Sequence, residues 1–519
     1  MASSMTPEGI PSKKPIITLD ILNKHNSSSD CWIAVHNKVW DITGFIGEHP
    51  GGPSVLLRCA GSNATKSFDQ VHAPDIIEEL PKEKFKGFLE EPSSDVSASA
   101  AQCAAERDTT TAPTNEVPPL ESVLSAADFE VVASKALTPK TWAFYSSAAT
   151  DLITHGKNKE LVRRIMIRPR ILRNVTSVNM KTSILGFPST APFFIAPAAM
   201  ARLVHPDGEL ALSRASANEG IIQSISSNAS YTLRSIMTAA PATQPFFFQL
   251  YINSERQKTI EILNSARSLG IKAIFLTVDA PVPGKREADE RAAQAVTVRS
   301  AISGGESSKD KKGSGLGRLM AQYIDKSLTW NDLSWIREAS GVPIVLKGVQ
   351  TADDAKMAVD YGVDAILLSN HGGRSLDGSQ ASILVLLELR KQCPEVFEKL
   401  EVYVDGGFER GSDILKAIAL GATAVGIGRP TLYSLVYGQE GVEHLVQSKC
   451  DVRLKSRITC LPFPVLKDEL ETSMRLCGIT SLDEATPALV NTRDIDHLVA
   501  PVEQSEPGRK YRRAVVAKI

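Results

Sequence analysis

Four side chains in the second half of the sequence have types that can move a proton or bind an anion. His371 is a candidate proton acceptor, and Asp279 is a candidate partner that orients its ring and stabilises the imidazolium. Arg374 has a planar guanidinium suited to a carboxylate, and Lys347 would place positive charge beside a reduced flavin. Taken singly, each side chain has a structural alternative, such as a helix cap or an ion pair. Taken together, they predict removal of a proton and two electrons from an α-hydroxy carboxylate.

Two histidines near the N-terminus suggest a second redox centre. His49 lies in the string EHPGG, and His72 follows in FDQVHAP. Two neutral imidazoles can fill both axial positions of a haem, and Pro50 with the two glycines predicts a tight turn. By spacing alone, two such histidines are more often solvated surface residues than metal ligands.

Eight short apolar runs alternate with amphipathic segments in the larger part of the chain, and several of these segments end in glycine, as helices do. Eight such repeats predict a closed (β/α)₈ barrel, in which chemistry lies at the C-terminal ends of the strands. Glycines after the seventh and eighth runs predict a phosphate-bearing cofactor there. The runs are 193–197, 221–226, 246–251, 273–279, 344–348, 365–370, 402–406 and 424–428.

Composition divides the chain into four parts. Residues 91–120 are rich in Ser, Thr, Ala and Pro and predict a flexible linker between a small domain at 15–90 and the barrel at 121–490. Residues 491–519 form a C-terminal tail. About 50 residues separate Asp279 from the helix near Trp330, which is typical of a lid or of a tolerated insertion.

Charge and cysteine content exclude several classes of function. Lys and Arg number 58 against 59 Asp and Glu, so a nucleic-acid partner is not expected. The seven cysteines form no C-x-x-C pair, which argues against a zinc site or a disulfide framework. No apolar run is long enough to span a membrane. We expect a cytoplasmic protein, with the mitochondrial intermembrane space or the peroxisome as alternatives, the latter because of the terminal Ala517-Lys518-Ile519.

The N-terminal block resembles the cytochrome b5-like haem domain, a small α+β fold. The matching strings are DCWIAVHNKVWDITGFIGEHPGG, AG at 60–61 and FDQVHAP. The resemblance implies that His49 and His72 are the axial ligands of a b-type haem. With both axial positions filled, the iron is expected to carry single electrons.

Residues 121–490 resemble the FMN-dependent α-hydroxy acid dehydrogenase family, which includes glycolate oxidase and lactate dehydrogenases. The matching strings include HPDGE, FQLY, TVDAPVPGKRE, LKGV, VDGG, IGRP and, most specifically, SNHGGRSLD. The resemblance implies that His371 is the base paired with Asp279, that Arg374 and Tyr251 hold the substrate, and that Arg286 supports them. It also implies that FMN contacts Ala198, Ser226, Gln249, Thr277, Lys347, Ser369, Asp405, Gly407, Gly428 and Arg429.

The order of haem block, linker and barrel is similar to that of the flavocytochrome b2 family. We therefore expect oxidation of an L-2-hydroxy acid to its 2-oxo acid, with electrons passing from FMN to haem and on to a cytochrome c-like or other one-electron acceptor. A homotetramer would fit the family. Two alternatives stay open: an oxidase that uses oxygen directly, and a degenerate haem carrier without catalysis.

Three positions depart from the family pattern. Phe144 stands where a tyrosine usually reaches the substrate carboxylate, so a hydroxyl donor is lost. Glu409 replaces an arginine near the expected phosphate, which predicts weaker FMN retention. Asn228 stands where side-chain specificity is often set, which makes lactate doubtful and a bulkier 2-hydroxy acid plausible.

Overall fold

The computed structural model describes residues 15–47, 49, 56–57, 59–69, 72, 76–90, 117–292, 298–304, 306–307, 315–447 and 465–500. Several predictions concern residues outside these ranges. They are the turn at Pro50–Gly52, the linker over 91–116, most of the insertion at 303–315 and the last residues of the chain.

The N-terminal part contains a six-stranded sheet whose centre is antiparallel. Along the strand Asp30–Val35, Cys31 and Ile33 face one apolar cluster, and Ala34 faces another, because side chains alternate across a strand. The other strands are Ile16–Ile17, Asn26–Ser27, Lys38–Asp41, Ser62–Asn63 and Phe85–Leu89. The α-helices are Leu19–Leu22 and Thr65–Asp69, and the 3₁₀ helices are Thr43–Phe45, Ile76–Glu79 and Lys82–Lys84.

The larger part is a closed barrel of eight parallel strands, as predicted. Each predicted run contributes one strand, and neighbouring strands pair in sequence order until the eighth returns to the first. The strands are Phe193–Ile195, Gln223–Ser226, Phe246–Leu250, Ala273–Thr277, Ile344–Val349, Ala365–Leu368, Glu401–Asp405 and Ala424–Ile427.

Helices surround the barrel, and the predicted glycine C-caps are confirmed where Gly220 and Gly270 adopt the left-handed conformation. The helices are Ala126–Ala136, Pro139–Ser146, Ile153–Arg164, Gly208–Glu219, Leu233–Thr238, Arg256–Leu269, Glu287–Arg291, Leu316–Met320, Leu333–Ser340, Ala352–Asp360, Ser382–Gln392, Val396–Lys399, Gly411–Ala419, Arg429–Ser434, Gly438–Val446 and Leu466–Leu476. Short 3₁₀ helices are Leu120–Ser122, Ala201–Leu203, Trp330–Asp332, Leu435–Tyr437, Leu482–Glu484, Pro487–Leu489 and Asp496–Leu498. Three small two-stranded sheets pair Met166–Ile167 with Val490–Asn491, Thr182–Ile184 with Phe187–Ser189, and Val298–Arg299 with Glu306–Ser307.

The barrel interior is apolar at the N-terminal end of the strands and polar at the C-terminal end. A buried cluster of Phe194, Phe247, Phe275 and Tyr403 fills the lower layer, and the hairpin at 182–189 packs against it. Because inward positions repeat every second residue, the next inward layer is polar. It contains Gln249 after Phe247, Thr277 after Phe275, Lys347 after Val345, Ser369 after Leu367 and Asp405 after Tyr403.

None of the helices in the described ranges combines the length and the apolar composition needed to cross a bilayer.

Candidate active site

His371 lines a cavity at the C-terminal end of the barrel. Its Nδ1 is 2.9 Å from Asp279 Oδ1, and its Nε2 is 3.3 Å from the hydroxyl of Tyr251. The backbone of His371 is left-handed at φ 60°, which is strained for a residue with a side chain, and its N–H donates to Ser369 Oγ. The fold thus holds the imidazole with one nitrogen engaged by a carboxylate and the other facing the cavity.

Burial sets the protonation of this pair. Loss of solvent lowers the pKa of His371 below its ordinary value, although the charge of Asp279 opposes the shift. Burial would raise the pKa of Asp279, but its interaction with His371, the charge of Lys347 and the hydrogen bonds to the carboxylate outweigh burial, and the pKa of Asp279 is lowered. The pair therefore consists of a neutral imidazole and a carboxylate near neutral pH, as a general base requires.

Three buried guanidinium groups make the cavity strongly attractive to anions. Burial lowers the pKa of Arg374 well below its ordinary value, and the neighbouring charges of Arg286 and Arg429 lower it further. Arg374 donates to the carbonyls of Phe144 and Tyr145, which are neutral acceptors. Arg286 Nε is buried without a hydrogen-bond partner among the described residues. This excess of positive charge fits a carboxylate and a phosphate.

The polar layer of the barrel forms two hydrogen-bonded groups along the cavity. Gln249 Nε2 donates to Thr277 Oγ1 at 2.9 Å, and Ser226 Oγ donates to Gln249 Oε1 at 3.2 Å. Lys347 Nζ donates to Ser369 Oγ at 2.9 Å. Most of the predicted site residues line this cavity, whereas Asp279, Thr277 and Ser369 lie behind the wall, each bonded to a residue that lines it.

Lys347 and Asp405 suit a bound group that has both hydrogen-bond donors and hydrogen-bond acceptors. Lys347 Nζ lies 3.5 Å from Asp405 Oδ2, while Asp405 Oδ1 is buried with no partner in the described structure. A buried carboxylate oxygen requires a donor, and the hydroxyls of a ribityl chain are suitable donors. The donor and acceptor pattern of this wall therefore suits FMN.

The end of the cavity predicted to hold phosphate is built from glycines and Arg429. Gly407 adopts φ 90°, and a Cβ there would lie 2.3 Å from the Asn158 carbonyl oxygen, so only glycine fits. At Gly428 a Cβ would meet only Ala196 at 4.0 Å and would occupy the space that a ligand needs. Arg429 bonds to the carbonyls of Tyr145, Ser147 and Gly372 and to the ring of His155. Because these partners are neutral, the charge of Arg429 is available to an anion.

Two residues of this wall were not identified from the sequence. His155 and Lys159 lie on the helix Ile153–Arg164, outside the barrel repeats, so no strand-end pattern indicated them. Burial, with the charge of Arg429, lowers the pKa of His155 to about 3, and its ring is neutral. The pair of side-chain hydrogen bonds between Asn158 and Asn370, at 2.9 and 2.8 Å, fixes this helix against the sixth strand.

The carboxylate of Glu409 forms ion pairs with two basic side chains of the helix Ile153–Arg164. Its carboxylate pairs with Lys159 at 2.6 Å and with Arg163 at 3.2 Å. Lys159 also pairs with Glu130 at 3.0 Å. Since Lys159 and Glu409 both line the cavity, the acid expected to repel the phosphate is accompanied by a cation that the sequence did not reveal.

Phe144 and Asn228 also lie in the cavity wall, as expected from the sequence. The Arg374 guanidinium lies 5.7 Å from the centre of the Phe144 ring, which offers it no hydroxyl. The neighbouring Tyr145 directs its hydroxyl away, to the carbonyls of Ala199 and Met200 at 2.9 and 2.6 Å. The lost hydroxyl is therefore not replaced by the adjacent tyrosine.

The two N-terminal histidines face one another. Their ring centres are 6.0 Å apart at an angle of 69°, and Phe45 and Phe68 flank them. Since metal–imidazole bonds measure about 2 Å, one ion fits between the rings. Burial and then the charge of His49 lower the pKa of His72 to about 4, so its ring is neutral and its lone pair is available. The residues fit a bis-histidine haem.

Family comparisons agree with both sites. Residues 133–492 match the FMN-dependent dehydrogenase family, and residues 18–90 match the cytochrome b5-like heme/steroid binding domain. The chain belongs to the FMN-dependent dehydrogenase family. It is an oxidoreductase of 2-hydroxy acids, a flavoprotein that takes FMN, and its N-terminal domain takes haem b.

Individual relatives cover one or both parts. The L-lactate dehydrogenase (cytochrome) of Wickerhamomyces anomalus is 36% identical over 505 residues, covering 95% of this chain and 83% of the relative. Glycolate oxidase 3 of Oryza sativa subsp. indica is 39% identical over 373 residues, covering 71% of this chain and 96% of the relative. A mutant flavocytochrome b2 with benzoylformate superposes with a TM-score of 0.64 at 37% identity, covering 75% of this chain and 91% of that one.

Proposed function

We propose that the protein oxidises an L-2-hydroxy acid to the 2-oxo acid and delivers the electrons to a one-electron acceptor such as a cytochrome c. The observation that carries this proposal is the neutral His371, bonded to Asp279, in one cavity with Arg374 and Arg286. The relationship to L-lactate dehydrogenase (cytochrome) along 95% of the chain supports it.

Each side chain has a distinct role in this proposal. Arg374 binds the substrate carboxylate, and Arg286 adds positive charge behind it. Tyr251 bonds the substrate hydroxyl, which places the reacting carbon beside His371 Nε2. His371 accepts one proton from the substrate, and Asp279 stabilises the resulting imidazolium. Conversion of the alcohol to the ketone releases two protons and two electrons in total.

The cofactors supply the electron chemistry. When bound, FMN accepts two electrons, and haem b passes electrons singly to the acceptor. We assign FMN to the wall formed by Ala198, Ser226, Gln249, Lys347, Asp405, Gly407, Gly428 and Arg429, with Thr277 and Ser369 behind it. We assign His49 and His72 as the haem ligands.

Anaerobic titration with a panel of L-2-hydroxy acids tests the proposal. The flavin absorption should bleach and the reduced haem bands should then appear. In His371→Gln, substrate should no longer bleach the flavin, while dithionite still reduces both centres. Failure of every acid in the panel to bleach the wild-type flavin would refute the proposal.

Direct use of oxygen is the second candidate, because the barrel alone is related to glycolate oxidase 3. That reaction would produce one peroxide for each substrate oxidised. Peroxide formation that persists unchanged in His49→Ala would favour the oxidase. Cytochrome c reduction that is lost in the same variant would favour the dehydrogenase.

The third alternative, a haem carrier without catalysis, is disfavoured because the candidate base and the arginines are all present.

The domain limits and the cellular setting are also proposals. We propose a haem domain over 15–90, a linker over 91–120, a barrel over 121–490 and a tail over 491–519.

We place the protein in the cytoplasm, and imaging of the protein fused to a fluorescent protein would distinguish this location from the intermembrane space or the peroxisome. Light scattering would show whether the protein is a tetramer.

A further inference from the structure

Asn228 occupies a buried position beside the catalytic residues. It follows the second barrel strand, is 6% exposed and lines the same cavity as His371, Tyr251 and Arg374. Its backbone is fixed, because its N–H donates to Ser226 Oγ at 3.1 Å and its carbonyl accepts from Met200 at 3.1 Å. The side chain therefore starts from a rigid point on the wall.

The carboxamide oxygen of Asn228 is held from one side. Ser303 Oγ donates to Oδ1, and the hydroxyl of Tyr323 donates to it at 3.2 Å. Ser303 and Tyr323 line a different, neighbouring cavity together with Asn253. Because Oδ1 is bonded to residues of the second cavity, the amide nitrogen is the end of the planar group left to face the cavity that contains His371.

The amide nitrogen of Asn228 makes no hydrogen bond to any part of the chain that the structure describes. Ala198, Phe144 and Ile324, which line the same cavity, contribute apolar side chains. A donor held in place beside a reacting centre, with no partner from the protein, favours a ligand that brings an acceptor.

We propose, on the basis of the function proposed above, that the substrate is a 2-hydroxy acid whose side chain carries a neutral acceptor oxygen. Asn228 Nδ2 donates to that oxygen, while Arg374 holds the carboxylate at the other end of the molecule. A neutral hydroxyl, ether or carbonyl oxygen can accept a hydrogen bond from this uncharged amide. Asn228 is a specificity-determining residue in this assignment.

Pairs of substrates of similar shape provide the test. In the first pair, L-glycerate has a hydroxyl where L-2-hydroxybutanoate has a methyl group. In the second pair, L-2-hydroxy-3-methoxypropanoate has an ether oxygen where L-2-hydroxypentanoate has a methylene. The wild type should have a roughly 3- to 10-fold higher kcat/KM for the oxygenated member of a pair. Asn228→Leu, which has a similar volume and no donor, should lose or reverse this preference. Asn264→Leu, at an exposed position on the helix Arg256–Leu269, is the matched control and should keep it.

A binding measurement separates this inference from the proposed function. The dissociation constants of the corresponding 2-oxo acids, measured from the perturbation of the flavin spectrum, should show the same preference without turnover. An equal preference in wild type and Asn228→Leu would overturn the assignment while leaving the oxidation intact. If no hydroxy acid reduced the flavin, the proposed function would be wrong, and the 2-oxo acid constants would still decide the role of Asn228.

Discussion

The ionisation of His371 links the cavity to the pH dependence of the reaction. Burial places the pKa of His371 below 6.5, so the neutral base is lost only as the pH falls through that lower value. We expect the acid limb of kcat/KM for flavin reduction to lie below pH 6.5.

Asp279→Asn should shift the acid limb of the pH profile of kcat/KM. The carboxylate raises the pKa of His371, so its removal lowers that pKa and shifts the limb to still lower pH. The same change should reduce kcat, since the imidazolium loses its stabilising charge. Stopped-flow flavin reduction across pH 4.5–8 measures both, and an upward shift of the limb would contradict the pairing.

Phe144→Tyr should restore a donor to the cavity. Phe144 lies against Arg374, where a tyrosine hydroxyl would reach the same carboxylate. A hydrogen bond to a charged group contributes about 1.5–3 kcal/mol, so KM for small hydroxy acids should fall roughly tenfold to a hundredfold. Steady-state kinetics with L-lactate would show this, and an unchanged KM would mean that the carboxylate lies elsewhere.

Lys159→Gln should weaken FMN binding. Lys159 lines the cavity beside Glu409, and without it the acid is left with the more exposed Arg163. We expect the FMN dissociation constant to rise about tenfold, a change measurable from flavin fluorescence on rebinding to the apoprotein. Lys157→Gln on the same helix, whose side chain pairs with the exposed Glu160, is the control and should bind FMN normally. Equal affinities in the two variants would remove Lys159 from the phosphate end.

The turn after the seventh strand shows how an element creates the site. Gly407 and Gly270 have nearly the same φ, 90° and 86°, but a Cβ at Gly407 would clash with Asn158, whereas a Cβ at Gly270 would meet nothing within 4 Å. Gly270→Ala should cost about 1–2 kcal/mol for the left-handed backbone alone.

Gly407→Ala should cost more than that and should also impair FMN binding, because the helix Ile153–Arg164 must move away. Thermal unfolding and FMN titration of both variants make the comparison. Equal losses of stability with unchanged FMN affinity would show that the close packing against Asn158 is unimportant.

At the scale of the whole molecule, the two redox sites should be separable. His72→Ala should abolish haem binding, because one of the two imidazoles proposed to hold the haem iron is lost, while substrate should still bleach the flavin. Cytochrome c reduction should fall to background. His25→Ala is the control, since His25 pairs with Asp30 in the same part of the chain and should leave the haem spectrum unchanged. Full cytochrome c reduction by His72→Ala would exclude the haem from the electron path.

The sequence by itself determined the barrel and most of its polar residues. Eight apolar runs with the period of buried strands specify eight strands, and the barrel geometry then collects their C-terminal residues at one end. Gln249, Lys347, His371 and Asp405 were therefore predictable from their positions along the runs. The left-handed backbone of His371 was not, because it depends on the bonds made by Ser369 and Asp279.

Only the tertiary structure decided which charges meet. Lys159 was not recognised because it lies on a helix before the barrel, and its partner Glu409 lies after the seventh strand. The orientation of Asn228 likewise depends on Ser303 and Tyr323, 75 and 95 positions further along the chain. Ion pairs and amide orientations are fixed by packing between distant segments, and local periodicity contains no information about that packing.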